Sequence, residues 1–142
     1  MKKTKIIFLD LDGPIFDNGD YIEDAGYCLK ELVKLTGAKI VITSDWRIGK
    51  SLDQVMSRLS VFIGLTSQEI IGLTKVIYHD SYEIARGAEI EMWLRDHPEV
   101  DNYVIIDDSE TAALVSMSSN FVKVGKAGFK GECFRDALRI LG

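Results

Sequence analysis

Cysteine, histidine and proline are scarce in this chain of 142 residues, with two of each. Two cysteines give no disulfide framework; Cys28 and Cys133 each fall on the apolar side of a predicted helix, and we expect buried free thiols. His79 and His97 lack metal-ligand spacing, so we expect ordinary surface or loop residues. The length and the two prolines suit one domain covering residues 1–142.

Long apolar runs and an excess of positive charge are also missing. No run approaches the roughly 18–20 apolar residues that span a bilayer. The basic start of the sequence is followed by too short an apolar stretch for a signal peptide, so we expect a cytoplasmic protein with no membrane partner. The formal net charge of −5 argues against coating nucleic acid through overall charge, and leaves room for a local basic patch.

What the chain does have is a regular alternation of apolar runs and helix-like patterns. Unbroken runs at 6–9, 40–42 and 104–106 are typical of strands covered on both faces. Residues 121–124 alternate as in an edge strand, and 69–72 predict a further core strand. The order predicts an α/β fold: a Rossmann-like three-layer sandwich with a mostly parallel five-stranded sheet and helices on both faces.

Apolar stripes at helical spacing separate the predicted strands. The four stripes are Ala25, Cys28, Leu29, Leu32 and Val33; Leu52, Val55, Met56 and Leu59; Ile90, Trp93 and Leu94; and Phe134, Ala137, Leu138 and Leu141. Gly37 is expected to end the first helix. The strict alternation of elements predicts one more helix, between the fourth and fifth strands.

Carboxylates and hydroxyls follow three of the predicted strands, at the sheet edge where ligands bind in such folds. They are Asp10 and Asp12, Thr43 and Ser44, and Asp107 and Asp108. Each pair alone has an ordinary explanation as a turn or a helix cap, but their coincidence at one edge favours a site. Two carboxylates about 4 Å apart repel by roughly 4 kcal/mol at an effective dielectric near 20, so a group of them needs a cation. Oxygen ligands alone favour Mg²⁺.

The motifs LDLDG, TSDWR and IIDD, in this order, resemble those of the haloacid-dehalogenase (HAD) phosphatase superfamily over nearly the whole chain. More narrowly, TSDWR with IGLT and RGAEIEMWL resembles the small HAD domains of Swiss-army-knife RNA-repair proteins and their free-standing relatives. The narrower likeness rests on Trp46, Arg47, Arg86, Glu89, Ile90 and Trp93.

This resemblance implies a phosphoryl transfer in two steps. Asp10 would attack phosphorus and form an aspartyl-phosphate. Asp12 would protonate the leaving oxygen and then deprotonate the hydrolytic water. Thr43 would donate a hydrogen bond to a phosphate oxygen, with Ser44 assisting.

The resemblance also implies a Mg²⁺ cofactor. Its ligands would be the Asp10 carboxylate, the Asp12 backbone carbonyl and the Asp107–Asp108 pair. We favour Asp108 as the direct ligand and Asp107 as the outer one.

The chain departs from the superfamily at the third motif, where a lysine is usual. Arg86 lies in that region, and no lysine occurs between Lys75 and Asp107. Arginine can clamp phosphate with two hydrogen bonds, so we favour Arg86, with Lys75 as the alternative. Arg47 either contacts substrate phosphate or pairs with an acidic side chain, and Trp46 either stacks on a base or packs in the core.

An open active site is a further implication, because HAD enzymes often carry cap domains and this chain has little room for one. Residues 13–23 hold only a flap, and 60–85 hold no separate domain. An open site suits a large substrate or needs an oligomeric partner to cover it. The narrower likeness favours a nucleotide or a polynucleotide end, and the sequence leaves the oligomeric state undetermined.

Two functions of different classes follow. The favoured one is a Mg²⁺-dependent phosphomonoester hydrolase. The alternative is a catalytically inactive phosphate- or nucleotide-binding module that acts as a sensor or accessory subunit, which the missing lysine motivates. A receiver-type signalling domain is set aside, because its acidic pair would follow the first strand, whereas the doublet Asp107–Asp108 follows the fourth.

Overall fold

The computed structural model describes residues 3–77 and 82–142. In chain order, the elements are β1 (Thr4–Leu9), β2 (Phe16–Asp17), β3 (Asp20–Tyr21), α1 (Glu23–Thr36), β4 (Lys39–Ile42), a 3₁₀ helix (Asp45–Arg47), α2 (Leu52–Ser60), β5 (Ile70–Leu73), α3 (Tyr82–Asp96), β6 (Val100–Asp107), a second 3₁₀ helix (Val115–Asn120), β7 (Phe121–Lys123) and α4 (Glu132–Leu141).

Five of the strands form one sheet in the order β5-β4-β1-β6-β7. Every neighbouring pair in it is parallel, which confirms the predicted Rossmann-like α/β fold. Strand β7 lies at an edge, as its alternating pattern predicts. Strand β5 forms at the predicted place but is the opposite edge rather than a core strand, and Ile71 on it is exposed.

Helices cover both faces of this sheet. Alternate residues of its central strand, β1, point to opposite faces and pack against different helices. On β1, Ile7 and Leu9 join a core cluster with residues of α1, α2 and α4. Ile6 and Phe8 join a second cluster with residues of α3 and of the second 3₁₀ helix. The carboxyl ends of β1, β4 and β6 therefore emerge between two helical layers.

Local signals explain where the helices begin and end. Gly37 follows α1 with a φ of 72° and donates its N–H to Val33, as expected for a helix-ending glycine. The prediction of an α-helix between β6 and β7 is wrong, because residues 115–120 form a 3₁₀ helix instead. Its sequence VSMSSN is rich in serine, whose hydroxyl competes for backbone hydrogen bonds and disfavours a helix interior.

A two-stranded hairpin of β2 and β3 occupies the position where the sequence predicts a flap. The loop after β7 packs on the base of this hairpin, since Phe129 donates its backbone N–H to the carbonyl of Pro14 at 2.8 Å.

Cys28 and Cys133 are free, as predicted, but both are half-buried rather than buried. Across residues 3–77 and 82–142, none of the helices combines the length and apolar character needed to cross a membrane.

Candidate active site

Three carboxylates meet at the carboxyl edge of the two central strands. Leu9 and Ile106 are partners in the parallel register, so the next residues, Asp10 and Asp107, emerge side by side. The Asp10 backbone N–H donates to the Ile106 carbonyl at 3.0 Å and holds this position. Asp10, Asp107 and Asp108 each place one carboxylate oxygen within 4.8 Å of the others, so the three could hold a metal ion.

Arg86 on α3 is the one cation that reaches this acidic cluster among the residues that the structure describes. Its Nη1 lies 2.8 Å from Asp107 Oδ2 and 3.4 Å from Asp10 Oδ1, and its Nη2 lies 3.2 Å from Asp45 Oδ1. In contrast, Lys75 is exposed and forms no ion pair within the part of the chain that the structure describes. Of the two third-motif candidates, Arg86 is therefore the one brought to the carboxylates.

Burial makes the ionised state of this cluster costly. Burial, followed by the negative charge of Asp107, raises the pKa of Asp10 to about 8, although Arg86 opposes the shift. Burial also raises the pKa of Asp107, again against the effect of Arg86. Burial works to lower the pKa of Arg86, but Asp107 and Asp10 outweigh it and raise that pKa above its usual value. In the described part of the chain, the positive charge of Arg86 alone is therefore too little to keep all of these carboxylates ionised.

The two members of the acidic doublet differ in their surroundings. Asp107 is fully buried, and both of its oxygens accept hydrogen bonds, Oδ1 from the Ser109 N–H at 2.9 Å and Oδ2 from Arg86. Asp108 is exposed and packs against Gly13, where an added Cβ would lie 2.5 Å from its Cγ. The Asp107 carboxylate is thus fixed by hydrogen bonds within the protein, whereas Asp108 lies against the loop after β1.

Asp12 stands outside the three-carboxylate cluster. It is exposed, and its Oδ1 and Oδ2 accept hydrogen bonds from Trp46 Nε1 at 3.1 and 3.2 Å. The Trp46 ring is half-buried, with its centroid 4.8 Å from that of Phe16 and the Arg58 guanidinium 3.7 Å from it. Of the two predicted roles, these contacts favour packing, because Trp46 lies against the first core cluster and its ring contacts Phe16 and Arg58.

The two hydroxyl residues after β4 are both buried. Thr43 lies beside the end of β1, since its N–H donates to the Leu9 carbonyl at 2.9 Å. The Ser44 Oγ accepts the Trp46 N–H at 3.3 Å and so caps the 3₁₀ helix Asp45–Arg47. Thr43 thus lies near Asp10 as predicted, while the Ser44 hydroxyl has a structural role as a cap.

The contacts of Arg47 argue against its predicted role in binding phosphate. Its side chain is only 3% exposed, and its donors reach protein partners. Nε donates to the Thr74 carbonyl, Nη1 to the Thr43 and Ser44 carbonyls, and Nη2 to Glu89 Oε1 at 2.6 Å. A guanidinium engaged in this way is not available to a ligand, so we correct the prediction: Arg47 is a buried structural residue.

Glu89 is the residue whose role sequence reasoning missed. Besides Arg47, its carboxylate accepts the Ile77 N–H at 2.8 Å through Oε2. The sequence held one indication of this role: Glu89 adjoins the apolar Ile90 on a predicted helix. An acidic residue in that position can be buried, and a buried carboxylate needs a partner. The partner itself was not predictable, because Arg47 is distant in sequence and only the tertiary fold joins them.

The remaining aromatic and histidine predictions have mixed outcomes. Trp93 packs in the second core cluster, where its ring leaves no space for a side chain at Gly72. His97 lies in the loop between α3 and β6, one of the two predicted settings. It is half-buried, and its ring stacks on Trp93 with centroids 4.0 Å apart. His79 lies outside the described residues.

A parallel α/β sheet with acidic side chains gathered beyond its central strands is the architecture of a HAD-like domain. A family model described as "HAD domain in Swiss Army Knife RNA repair proteins" matches residues 6–132, and the chain belongs to this family. Both the wider and the narrower resemblance seen in the sequence are therefore confirmed. No significant match was found among curated proteins or among solved structures.

Proposed function

We propose that this protein is a Mg²⁺-dependent phosphomonoester hydrolase that acts through an aspartyl-phosphate. The observation that carries the proposal is the convergence of Asp10, Asp107 and Asp108 with Arg86 at one sheet edge. A buried carboxylate next to a fixed guanidinium suits a nucleophile whose substrate is a phosphate dianion. Membership of a HAD family supports the same reaction class.

The carboxylate cluster also fits the proposed metal. Its oxygens lie within 4.8 Å of one another, and hard oxygen ligands are those that Mg²⁺ prefers. We assign Asp10, the Asp12 carbonyl and Asp108 as ligands, with Asp107 outside them because both of its oxygens already accept hydrogen bonds. Bound Mg²⁺ would supply positive charge that lets the buried carboxylates ionise and offsets the charge of the phosphoryl group.

The reaction itself uses two carboxylates of this chain. An Asp10 oxygen attacks phosphorus while the bond from phosphorus to the leaving oxygen breaks, and Asp12 gives that oxygen its proton. Water then attacks the phosphorus of the aspartyl-phosphate, and Asp12 takes the water's proton. The bond from phosphorus to Asp10 breaks, which releases inorganic phosphate and regenerates the free carboxylate.

The other site residues hold the phosphoryl group in place. Arg86 is proposed to move one of its N–H groups from the carboxylates to a phosphate oxygen, as the usual lysine would. Thr43, at the end of the strand next to β1, is proposed to donate its hydroxyl to a second oxygen. Ser44 assists through its cap on the following 3₁₀ helix, which fixes the backbone there.

We propose a nucleotide or a polynucleotide end as the substrate. The hairpin of residues 16–21 is the only insertion resembling a cap within the described part of the chain, so a large substrate has access. The family description, which refers to RNA repair proteins, supports the same class. The second candidate, a binding module without catalysis, is favoured by one observation, the presence of Arg86 where the superfamily has lysine.

The test is turnover of purified protein with Mg²⁺ on 5′- and 3′-phosphorylated oligonucleotides and mononucleotides. Asp10→Asn is expected to abolish phosphate release, and Asp53→Asn on the exposed surface of α2 is the matched control that leaves it unchanged. Tight binding of these compounds without turnover by the wild type would favour the binding module instead.

A further inference from the structure

We infer that Trp46 is a positioning residue that orients the Asp12 carboxylate for proton transfer; the inference rests on the proposed function. The contact joins the ends of two neighbouring strands, since Asp12 follows β1 and Trp46 follows β4. The indole Nε1 lies 3.1 Å from Oδ1 and 3.2 Å from Oδ2, so one N–H is shared by both oxygens.

Asp12 needs such a partner because little else restrains its side chain. It is exposed, and it precedes Gly13, whose φ is 106°. Among the side chains that the structure describes, Trp46 is the one that donates a hydrogen bond to this carboxylate. An N–H shared between the two oxygens fixes the direction in which the carboxylate points.

The chemistry of the indole suits this role better than that of other donors. An indole N–H donates and never accepts a hydrogen bond, and it does not titrate at ordinary pH. A proton carried by the Asp12 carboxyl therefore cannot be passed to Trp46, and it stays available to the leaving oxygen. A lysine or histidine in the same place would add charge or a competing base.

Trp46 is itself held from three sides. Its backbone N–H is capped by Ser44 Oγ, and its ring packs on Phe16 of the hairpin. The Arg58 guanidinium of α2 lies 3.7 Å from the ring centroid, at cation–π distance. The indole is thus fixed before substrate arrives, as a positioning group must be.

The consequence is an effect that depends on the leaving group. An alcohol such as a nucleoside hydroxyl needs a proton as its bond to phosphorus breaks, whereas p-nitrophenolate leaves well without one. If Trp46 orients the proton donor, loss of its N–H must slow the release of the alcohol more than that of the phenolate. A residue that only maintained the fold would slow both alike.

The experiment compares Trp46→Phe with wild type in the first turnover, measuring release of the leaving group from a mononucleotide and from p-nitrophenyl phosphate. Phenylalanine keeps a ring against Phe16 and Arg58 but has no N–H. We expect the first-turnover rate of release from the mononucleotide to fall about tenfold or more, as for a misplaced general acid. Release from p-nitrophenyl phosphate should change less than about threefold, and the concentration that gives half the maximal first-turnover rate should be unchanged. Equal losses on the two substrates would overturn the inference.

A matched control and a second measurement separate this outcome from a failure of the proposed function. Trp93→Phe makes the same substitution away from the site, and it should affect both substrates equally. In an NMR spectrum of the indole N–H groups, Asp12→Ala should shift the signal of Trp46 and leave that of Trp93, whose Nε1 has no hydrogen-bond partner among residues 3–77 and 82–142. An unmoved Trp46 signal refutes the contact. Absence of wild-type turnover on both substrates refutes the proposed function, and with it the positioning role.

Discussion

Arg47 Nη2 and Glu89 Oε1 lie 2.6 Å apart, and both side chains are almost fully buried. Through its other donors, Arg47 binds the backbone carbonyls after β4 and β5. Glu89 lies one helical turn after Arg86 on α3, so the pair anchors the helix that carries Arg86 to the edge of the sheet. A buried ion pair without contact to the proposed reacting atoms therefore determines where the cation of the site lies.

The first prediction concerns the loss of this pair. Arg47→Met should lower the free energy of unfolding by about 3–5 kcal/mol, because it leaves the Glu89 carboxylate buried without its partner. Urea denaturation followed by circular dichroism measures this. Arg139→Met is the control, since Arg139 pairs with Asp136 on the exposed surface and should cost about 1 kcal/mol or less.

The double variant Arg47→Met with Glu89→Leu should regain part of the loss, because no buried charge remains unpaired. It should not regain all of it, since the carbonyls of Thr43, Ser44 and Thr74 still lack their donor. A double variant as unstable as the sum of its single variants would show that the two residues do not act as a pair.

The second prediction distinguishes Arg86 from Lys75. Arg86→Gln should lower kcat by about 10²–10³-fold, the loss typical of removing one fixed donor to a developing oxyanion. Lys75→Gln should leave kcat unchanged, since Lys75 is exposed. Steady-state kinetics on the best phosphomonoester measures both, and a large loss in the Lys75 variant alone would reverse the assignment.

The third prediction uses two glycines of the same segment. Gly13 has a φ of 106°, and a Cβ there would lie 2.5 Å from Asp108 Oδ2; Gly19 has a φ of 88° with no atom within 4 Å of its Cβ position. Both alanine variants should lose about 1–2 kcal/mol from the backbone conformation. Only Gly13→Ala should also weaken Mg²⁺ binding, because it displaces Asp108. Calorimetric titration measures the affinity, and equal affinities would exclude Asp108 from the metal site.

The fourth prediction concerns pH. Because the pKa of Asp10 is raised to about 8, the folded protein holds a proton that the unfolded chain releases near 3.8. The contribution of Asp10 to stability therefore falls as the pH rises between these two values in the metal-free protein. Mg²⁺ should replace that proton, so the rise in Tm on adding Mg²⁺ should be larger at about pH 8 than at about pH 5.

Asp10→Asn provides the control for this effect, because asparagine does not titrate. Its metal-free Tm should vary less with pH than that of the wild type, and added Mg²⁺ should raise it less. If the wild type and the variant respond alike to pH and metal, Asp10 neither titrates in this range nor binds the ion.

Much of the fold was predictable because each strand and helix of this chain has its own local pattern. The run at 6–9 is apolar on both faces, and it forms the central strand. The edge position of β5 was not predictable, because Ile70 and Ile71 are both apolar although only Ile70 is buried. The 3₁₀ helix before β7 was missed because strict alternation outweighed the low helical propensity of serine.

At the site, the sequence identifies residue types at strand ends but not the direction in which side chains point. Asp10 and Asp107 were found because strand ends converge in any parallel sheet. For Arg47 the sequence left two roles open, because its neighbours in sequence lie at the site. Pairing with an acidic side chain is the one that the fold selects, since the guanidinium turns inward to Glu89. The bond between Trp46 and Asp12 has no sequence signal, since it depends on how two strand ends face each other.

The position of β1 between β4 and β6 also sets the order in which the site can appear as the chain is made. Asp10 is synthesised before its strand partner β6 and the acidic doublet, which follow it by about 90 residues or more in the chain. Such long-range pairing is slow, because the chain must close a large loop first. A nascent chain halted before Val100 would hold Asp10 without Asp107 and Asp108, so metal capture would report the pairing of β6 with β1 rather than the formation of β1 alone.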